Sequence, residues 1–136
     1  MAISDYAAYS MRSDRFRAAA EAKDFSAVDE LFAEQASFRS PVVFAPYEGR
    51  EAISVLLGAV VEVFEDFRYT DQVESGDTAV LIFEARVGDR ELNGVDILRF
   101  DADDRIVELM VMVRPKSGVH ALAEAMQTKL AGAGSG

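Results

Sequence analysis

The sequence predicts an α+β fold in which N-terminal helices pack on an antiparallel sheet and a further helix follows the sheet. Three observations support this prediction. Apolar residues recur at helical spacing as far as Phe64, at strand spacing over residues 68–114, and at helical spacing again after Pro115. Short turns join the strand-like segments, which is typical of antiparallel neighbours. Because helices and strands are segregated along the chain, the pattern is α+β rather than α/β.

The N-terminal half is predicted to contain three helices. The first covers roughly residues 5–22, and the second is a short helix that carries Val28, Leu31 and Phe32. A short extended segment follows over residues 37–44. The third helix has the widest apolar stripe, with apolar residues at i, i+3, i+4, i+7, i+8 and i+11. Its members are Ile53, Leu56, Leu57, Val60, Val61 and Phe64.

The second half is predicted to form four strands and a last helix. The strands are β-branched or aromatic segments over residues 68–74, 78–87, 91–101 and 106–114. Gly76-Asp77 and Gly88-Asp89 are typical of tight hairpins. After Pro115, Ser117 can cap a helix with one apolar side. That side carries Val119, Leu122, Ala123, Met126 and Leu130.

The composition suits one soluble domain. The chain has 136 residues, enough for a single core, and we expect one domain over residues 1–130 with a flexible tail over residues 131–136. The net charge of −10 disfavours nucleic acid and anionic membranes as partners. Cysteine is absent, and the sequence has neither a secretory leader nor an apolar run of membrane-spanning length. These features favour a cytoplasmic location. The sequence also lacks phosphate-loop, zinc and nucleophile-elbow motifs, so we expect no metal and no cofactor.

Asp96 is the candidate catalytic residue because it lies in a segment that otherwise reads as a buried strand. Burying a carboxylate costs several kcal/mol unless the group is paired or protonated. Two interpretations stay open. Asp96 is either a neutral acid that faces a ligand, or a structural acid bonded to a partner such as Tyr47, Tyr69, Ser40, Arg39 or a backbone amide. Alternation places it on an inner sheet face with Gly94, Leu98, Phe100, Ala79, Leu81, Phe83, Ala85, Val107, Leu109, Val111 and Val113.

The opposite sheet face has an apolar centre and charged ends. Its apolar residues are Val80, Ile82, Val95, Ile97, Met110 and Met112. A fully solvated face would not need them, so either the last helix or a second copy of the chain covers this surface. An apolar centre with a charged rim is typical of an interface, and two-fold dimers are the commonest oligomers. We therefore expect a homodimer through this face.

Several short motifs occur in a defined order over roughly residues 5–114. They are Asp14-Arg15-Phe16-Arg17-Ala18-Ala19, Ala22-Lys23-Asp24-Phe25, Leu31-Phe32, Ser37-Phe38-Arg39-Ser40-Pro41, Gly49-Arg50-Glu51-Ala52-Ile53 and Gly94-Val95-Asp96-Ile97-Leu98-Arg99-Phe100, which leads into Arg105-Ile106-Val107. In this order they resemble the nuclear transport factor two-like superfamily, particularly its ketosteroid-isomerase-like and SnoaL-like branches. The resemblance implies a cone-shaped, curved antiparallel sheet wrapped on helices, as in cystatin-like or SnoaL-like α+β barrels, with a pocket between them.

We expect a mostly apolar pocket with Asp96 as its polar anchor. The other expected pocket residues are Phe16, Phe32, Phe38, Ser40, Tyr47, Phe64, Tyr69, Phe83, Leu98 and Leu109. Arg39 is expected to point away from the pocket, because it alternates with Phe38 and Ser40. The single histidine, His120, is expected to be solvated.

The resemblance also indicates which chemistry to expect. Ketosteroid isomerases use a carboxylate base, with a tyrosine and a neutral aspartic acid as hydrogen-bond donors. Asp96 resembles the aspartic acid donor, but Phe16 occupies the tyrosine position and Ser40 the base position. Ketosteroid isomerase activity is therefore not expected. A related epoxide-opening family needs an arginine at the position of Gly94. SnoaL-like cyclases need only an acid and a shaped apolar pocket, which Asp96 satisfies.

The leading hypothesis is therefore a small-molecule-pocket protein of the SnoaL-like or ketosteroid-isomerase-like type. It would bind or act on a hydrophobic ligand, with Asp96 as general acid or oxyanion-type donor. An enzyme of this kind would be an isomerase, cyclase or lyase. The alternative is a non-catalytic ligand-binding or dimerisation module.

Overall fold

The computed structural model describes residues 11–135, with side chains as far as residue 132, and confirms the α+β fold. Four helices and six strands occur in this part of the chain. In order they are α1 (Asp14–Ala22), α2 (Val28–Leu31), β1 (Phe32–Arg39), β2 (Tyr47–Glu48), α3 (Arg50–Val63), β3 (Glu65–Ser75), β4 (Thr78–Val87), β5 (Arg90–Phe100), β6 (Ile106–Arg114) and α4 (Lys116–Ser135). None of these helices is both long enough and apolar enough to cross a membrane.

The six strands form one curved sheet in the order β2-β1-β6-β5-β4-β3. Strands β3 to β6 are the predicted antiparallel meander. Two of its turns place Gly76 and Gly88 at φ 58° and 62°, a conformation that glycine adopts without steric cost. Strand β1 returns to the far edge of the meander, where it pairs parallel with β6 and antiparallel with β2.

The strand register gives the sheet the two faces that alternation predicts. On the concave face, Asp96 lies in register with Leu81 on β4 and Val111 on β6. One predicted member of this face, Val107, is instead 36% exposed, and Ile106 is buried in its place. The cause is a register shift near the start of β6, where an extra residue enters the strand and moves the following side chains by one position.

The helices pack on the concave face and close the core. The largest fully buried apolar side chains are Phe32, Phe83, Ile53, Leu81, Leu98, Ile106 and Leu109. In α4, Leu122 is 3% exposed within this core, and Lys129 forms an ion pair with Glu62 of α3. Helix α4 therefore covers the concave face. The possibility that it folds over the outer face of the sheet is excluded.

The chain differs from the predicted element boundaries at several places. The extended segment predicted over residues 37–44 is part of β1, which ends at Arg39, and β3 begins at Glu65 instead of residue 68. Residues 5–10 of the predicted first helix lie outside the described residues. Phe32 begins β1 rather than ending a helix, because its backbone is already extended at φ −113° and ψ 145°. Residues 131–135, predicted as a flexible tail, continue α4. Gly132 and Gly134 each disfavour a helix by only about 1 kcal/mol relative to alanine, which is not enough to end this one.

Candidate functional site

A cavity of about 360 Å³ lies between the concave sheet face and helices α1, α3 and α4. Its walls are mainly apolar, as expected for a small-molecule pocket. Eight residues that the sequence predicts for the pocket line this cavity. They are Phe16, Phe38, Ser40, Tyr47, Phe64, Tyr69, Asp96 and Leu109.

Three other predicted pocket residues lie outside the cavity wall. Phe32, Phe83 and Leu98 are at most 1% exposed and belong to the solid core. Other aromatic rings cover two of them. The Phe32 ring contacts Phe16, and the Phe83 ring stacks on Phe67 at a centroid distance of 5.0 Å. Alternation predicts the sheet face of Phe83 and Leu98 correctly, but it cannot show which inward residues other side chains cover.

Sequence analysis did not assign the remaining wall residues to the pocket, most of which lie on the helices and in the loop after β1. These residues are Ala20, Lys23, Phe25, Pro41, Val42, Val43, Leu56, Leu57, Val60, Val61, Phe67, Val111, Leu122, Ala123, Met126, Gln127 and Leu130. The apolar stripes of α3 and α4 are visible in the sequence. The sequence does not show on which side of the sheet α4 lies.

Asp96 is the buried polar group of the cavity, with 7% of its surface exposed. The Tyr69 hydroxyl donates a hydrogen bond to Oδ2 of Asp96 over 2.7 Å. The other carboxyl oxygen, Oδ1, accepts no hydrogen bond from any described residue, and it is not among the enclosed polar atoms that lack a partner. Since Asp96 lines the cavity, Oδ1 is the oxygen available to a bound molecule.

Burial changes the acidity of both members of this pair. Loss of solvation raises the pKa of Asp96 from the ordinary 3.8 to about 7, although the Tyr69 hydrogen bond acts in the opposite direction. Burial also raises the pKa of Tyr69, and the neighbouring Asp96 raises it further. Tyr69 therefore keeps its hydroxyl proton, while the Asp96 carboxyl group gains and loses its proton near neutral pH.

Packing on several sides holds the Tyr69 side chain in place. Phe67 meets its ring edge-on at 4.9 Å between centroids. The Arg17 guanidinium lies 5.6 Å from the centre of the same ring, where a cation is attracted to the π face. Arg17 is itself bonded to Gln72 over 2.9 Å. The hydroxyl that bonds Asp96 is thus fixed by contacts from both α1 and the sheet.

Gly94, two residues before Asp96, has no room for a side chain. A Cβ atom there would lie 2.3 Å from the Met112 carbonyl oxygen and 2.8 Å from Cζ of Phe83. The arginine required by the epoxide-opening family therefore cannot be accommodated at this position without rearrangement of the sheet.

The cavity wall offers no second carboxylate and no imidazole among the described residues. Ser40 borders the cavity, but its hydroxyl oxygen accepts hydrogen bonds from the backbone N–H groups of Val42 and Val43 and so stabilises the loop. His120 lies outside, with its side chain 75% exposed and Nε2 3.2 Å from Glu124, which confirms the predicted solvated position.

Comparison with known proteins agrees with this architecture. The profile of the SnoaL-like domain family matches residues 14–109. A steroid delta-isomerase structure from Pseudomonas aeruginosa is 43% identical, with a TM-score of 0.89 over 92% of this chain and 93% of that chain. No curated protein matches the sequence significantly.

Two further solved structures are similar over most of their length. A bacterial protein with a cystatin-like fold from Silicibacter pomeroyi DSS-3 is 30% identical, with a TM-score of 0.83 over 87% of this chain and 84% of that chain. An NTF2-like protein from Mesorhizobium loti is 26% identical, with a TM-score of 0.69 over 76% and 88% of the two chains. The chain belongs to the SnoaL-like domain family of the nuclear transport factor two-like superfamily.

Proposed function

We propose that this protein binds a hydrophobic small molecule in the cavity and that Asp96 donates a hydrogen bond or a proton to an oxygen atom of that molecule. One observation carries the proposal: Asp96 lines an apolar cavity, and Tyr69 occupies its Oδ2 while Oδ1 accepts no hydrogen bond from any described residue. Because Oδ2 accepts the Tyr69 hydrogen, the proton of the neutral acid resides on Oδ1. The donor therefore points toward the ligand.

This arrangement suits a ligand with a carbonyl or hydroxyl oxygen. A donor in a water-poor cavity stabilises negative charge that develops on a carbonyl oxygen. An acid with a pKa of about 7 can also transfer its proton near neutral pH. If the bound molecule reacts, isomerase, cyclase or lyase chemistry with Asp96 as general acid fits this geometry.

Steroid isomerisation through a carboxylate base is not part of the proposal, although a similar chain is a steroid delta-isomerase. That mechanism requires a base that removes a proton from carbon. At the corresponding position this chain has Ser40, whose oxygen is engaged by two backbone amides. A serine hydroxyl in this setting cannot serve as that base.

The test compares two ligands of nearly the same shape, 2-acetylnaphthalene and 2-ethylnaphthalene, of which only the first has an oxygen acceptor. We expect the ketone to bind about tenfold more tightly at pH 6, which corresponds to one charge-free hydrogen bond in an apolar site. Above pH 7 this preference should decline, because ionised Asp96 has no proton to donate. Calorimetric titration at pH 6 and pH 8.5 measures both effects.

Two variants separate the role of Asp96 from general packing. Asp96→Leu should abolish the preference for the ketone while the hydrocarbon still binds. Tyr47→Phe removes another hydroxyl from the cavity wall that does not contact Asp96, so it should leave the preference intact. Equal affinity for both ligands in the wild-type protein would overturn the proposal.

We further propose that the protein forms a homodimer through the outer sheet face. The register places Ile82, Val95 and Met112 in one row across β4, β5 and β6, and a second row lies beside it. The second row consists of Val80, Ile97 and Met110. Ile82 and Met112 are 37% and 50% exposed in the single chain. Since α4 covers the opposite face, a second copy of the same apolar rows is the occupant that two-fold symmetry favours.

A further inference from the structure

The cavity wall includes one exposed cation. Lys23 borders the cavity and is exposed to solvent, whereas Asp96 is buried. Among the described residues that line the cavity, Lys23 is the only cation and Asp96 the only carboxyl group. The two ionisable groups of the wall, Lys23 and Asp96, therefore differ both in charge and in exposure to solvent.

The backbone role of Lys23 does not require its ammonium group. Lys23 ends α1 in the left-handed conformation, at φ 56° and ψ 39°, and its N–H bonds the carbonyl oxygens of Ala19 and Ala20. Glycine is the usual residue at such a helix end, because a side chain is strained there. A cation favours the negative end of a helix, but only by a few tenths of a kcal/mol at an exposed site.

The charge of Lys23 is not neutralised locally. The nearby Glu62 forms an ion pair with Lys129, and Lys129 is the main cause of the lowered pKa of Glu62, with a smaller contribution from Lys23. Lys23 itself forms no ion pair with any residue in the described part of the chain. Its ammonium group thus lies beside a pair that is already balanced, and it remains available to a ligand.

The lysine lies well along α1 from the Asp96 end of the cavity. Arg17 lies over the ring of Tyr69, which bonds Asp96. Lys23 is six residues further along the helix, a distance of about 9 Å along its axis. Phe16, Ala20 and Lys23 all line the cavity, since their spacing places them on one face of α1. The wall between the two ends is apolar.

We propose that the ligand is an amphipathic anion: an apolar body with an oxygen atom that accepts a hydrogen bond from Asp96 and, toward the C-terminal end of α1, a negatively charged group that pairs with Lys23. This inference rests on the proposed function for the Asp96 end and adds the chemical class of the opposite end. Carboxylate is the probe chosen for the charged group.

The experiment uses four ligands: 9-oxodecanoate and its neutral methyl ester, and decanoate and its methyl ester, which both lack the ketone. Titration calorimetry at pH 6 and low salt should show the oxo acid binding about three- to fivefold more tightly than the ester, the range measured for exposed ion pairs. Lys23→Met should remove this difference. Lys116→Met, which removes an exposed lysine that is not part of the cavity wall, should preserve it.

A second variant guards against a folding defect. Lys23→Gly keeps the helix end in a favourable conformation and should lose the preference for the acid as Lys23→Met does. The proposal is overturned if the wild-type protein binds acid and ester equally, if neither binds at millimolar concentration, or if the Lys23 variants weaken both ligands to the same extent.

Decanoate separates this inference from the proposed function. If decanoate binds as tightly as 9-oxodecanoate and both weaken in Lys23→Met, the cation site stands and the Asp96 donor fails. If the oxo ester binds more tightly than methyl decanoate, but the two acids bind no more tightly than their esters, the Asp96 donor is supported and the Lys23 site is disproved.

Discussion

The Tyr69 hydroxyl lies 2.7 Å from Oδ2 of Asp96 and so leaves Oδ1 as the carboxyl oxygen without a hydrogen-bond partner among the described residues. Tyrosine donates this hydrogen bond because its own pKa is raised by burial. Asp96 itself lines a mainly apolar cavity. The pair therefore combines the two interpretations of Asp96: it has a structural partner and an oxygen free for a ligand.

Replacing Tyr69 by phenylalanine should raise the pKa of Asp96 above 7. The Tyr69 hydrogen bond stabilises the carboxylate, so its loss favours the protonated form. Carboxyl-carbon NMR titration of Asp96 measures the change, with Tyr47→Phe as the matched control that should leave the pKa unchanged. A lower pKa in Tyr69→Phe would show that the hydroxyl does not stabilise the anion.

Replacing Asp96 by asparagine should remove a specific pH dependence of stability. Between about pH 4 and pH 7 the folded protein holds a proton on Asp96 that the unfolded chain has released, so stability falls as pH rises. Above pH 7 the loss is complete. Because the pKa of Asp96 rises from 3.8 to about 7 on folding, the loss in free energy of unfolding is on the order of 4 kcal/mol.

Urea unfolding at pH 4, 6 and 8.5 tests this prediction through the difference between the wild-type protein and Asp96→Asn, because other ionisable groups cancel in that difference. The two proteins should have similar stability at pH 4, and the variant should be the more stable at pH 8.5. A difference that stays constant across this range would mean that Asp96 ionises normally in the folded protein.

A methyl group at Gly94 should strongly destabilise the fold. The added Cβ of Gly94→Ala would overlap the Met112 carbonyl oxygen and the Phe83 ring, so we expect a loss of about 3 kcal/mol or more. Gly58→Ala is the matched control, since Gly58 lies in α3 with nothing near its Cβ position. That change should stabilise the protein by about 0.5–1 kcal/mol. Similar unfolding midpoints for both variants would contradict the close approach at Gly94.

A charge on the outer sheet face should dissociate the proposed dimer. Met112→Glu places a carboxylate in the apolar rows. By symmetry, this carboxylate would face the same apolar surface of the second copy. Val55→Glu introduces the same charge at an exposed site on α3 and serves as control. Sedimentation should give twice the mass of one chain for the wild-type protein and the control, and a single-chain mass for Met112→Glu. A wild-type protein that sediments as a single chain at high concentration would disprove the dimer.

The sequence predicts the meander well because alternation and turn chemistry are local signals. Strands β4 and β6 begin and end where the pattern places them, and Asp96 lies on the predicted inner face. The parallel pairing of β1 with β6 joins segments about 70 residues apart, and no local pattern encodes it. The shift that moves Val107 outward is equally silent in the sequence, since both Ile106 and Val107 are apolar.

The site is only partly predictable for a related reason. Alternation shows that Phe83 and Leu98 face inward, but whether an inward residue borders a cavity depends on which neighbours cover it. Much of the cavity wall depends on which face of the sheet α4 packs against. The apolar stripe of α4 would fit either face, so the sequence does not decide this. Sequence analysis placed Tyr69 in the pocket and named it as one of several possible partners of Asp96, but it could not single it out as the actual partner.

The most direct test of the account is the pKa of Asp96, measured by carboxyl-carbon NMR in the free protein and in the presence of saturating 2-acetylnaphthalene, with Asp96→Asn to assign the signal. We predict a pKa of about 7 in the free protein and a higher value with the ketone bound, because the ligand binds the protonated acid. A value at or below the ordinary 3.8, or one that the ketone leaves unchanged, would contradict the account.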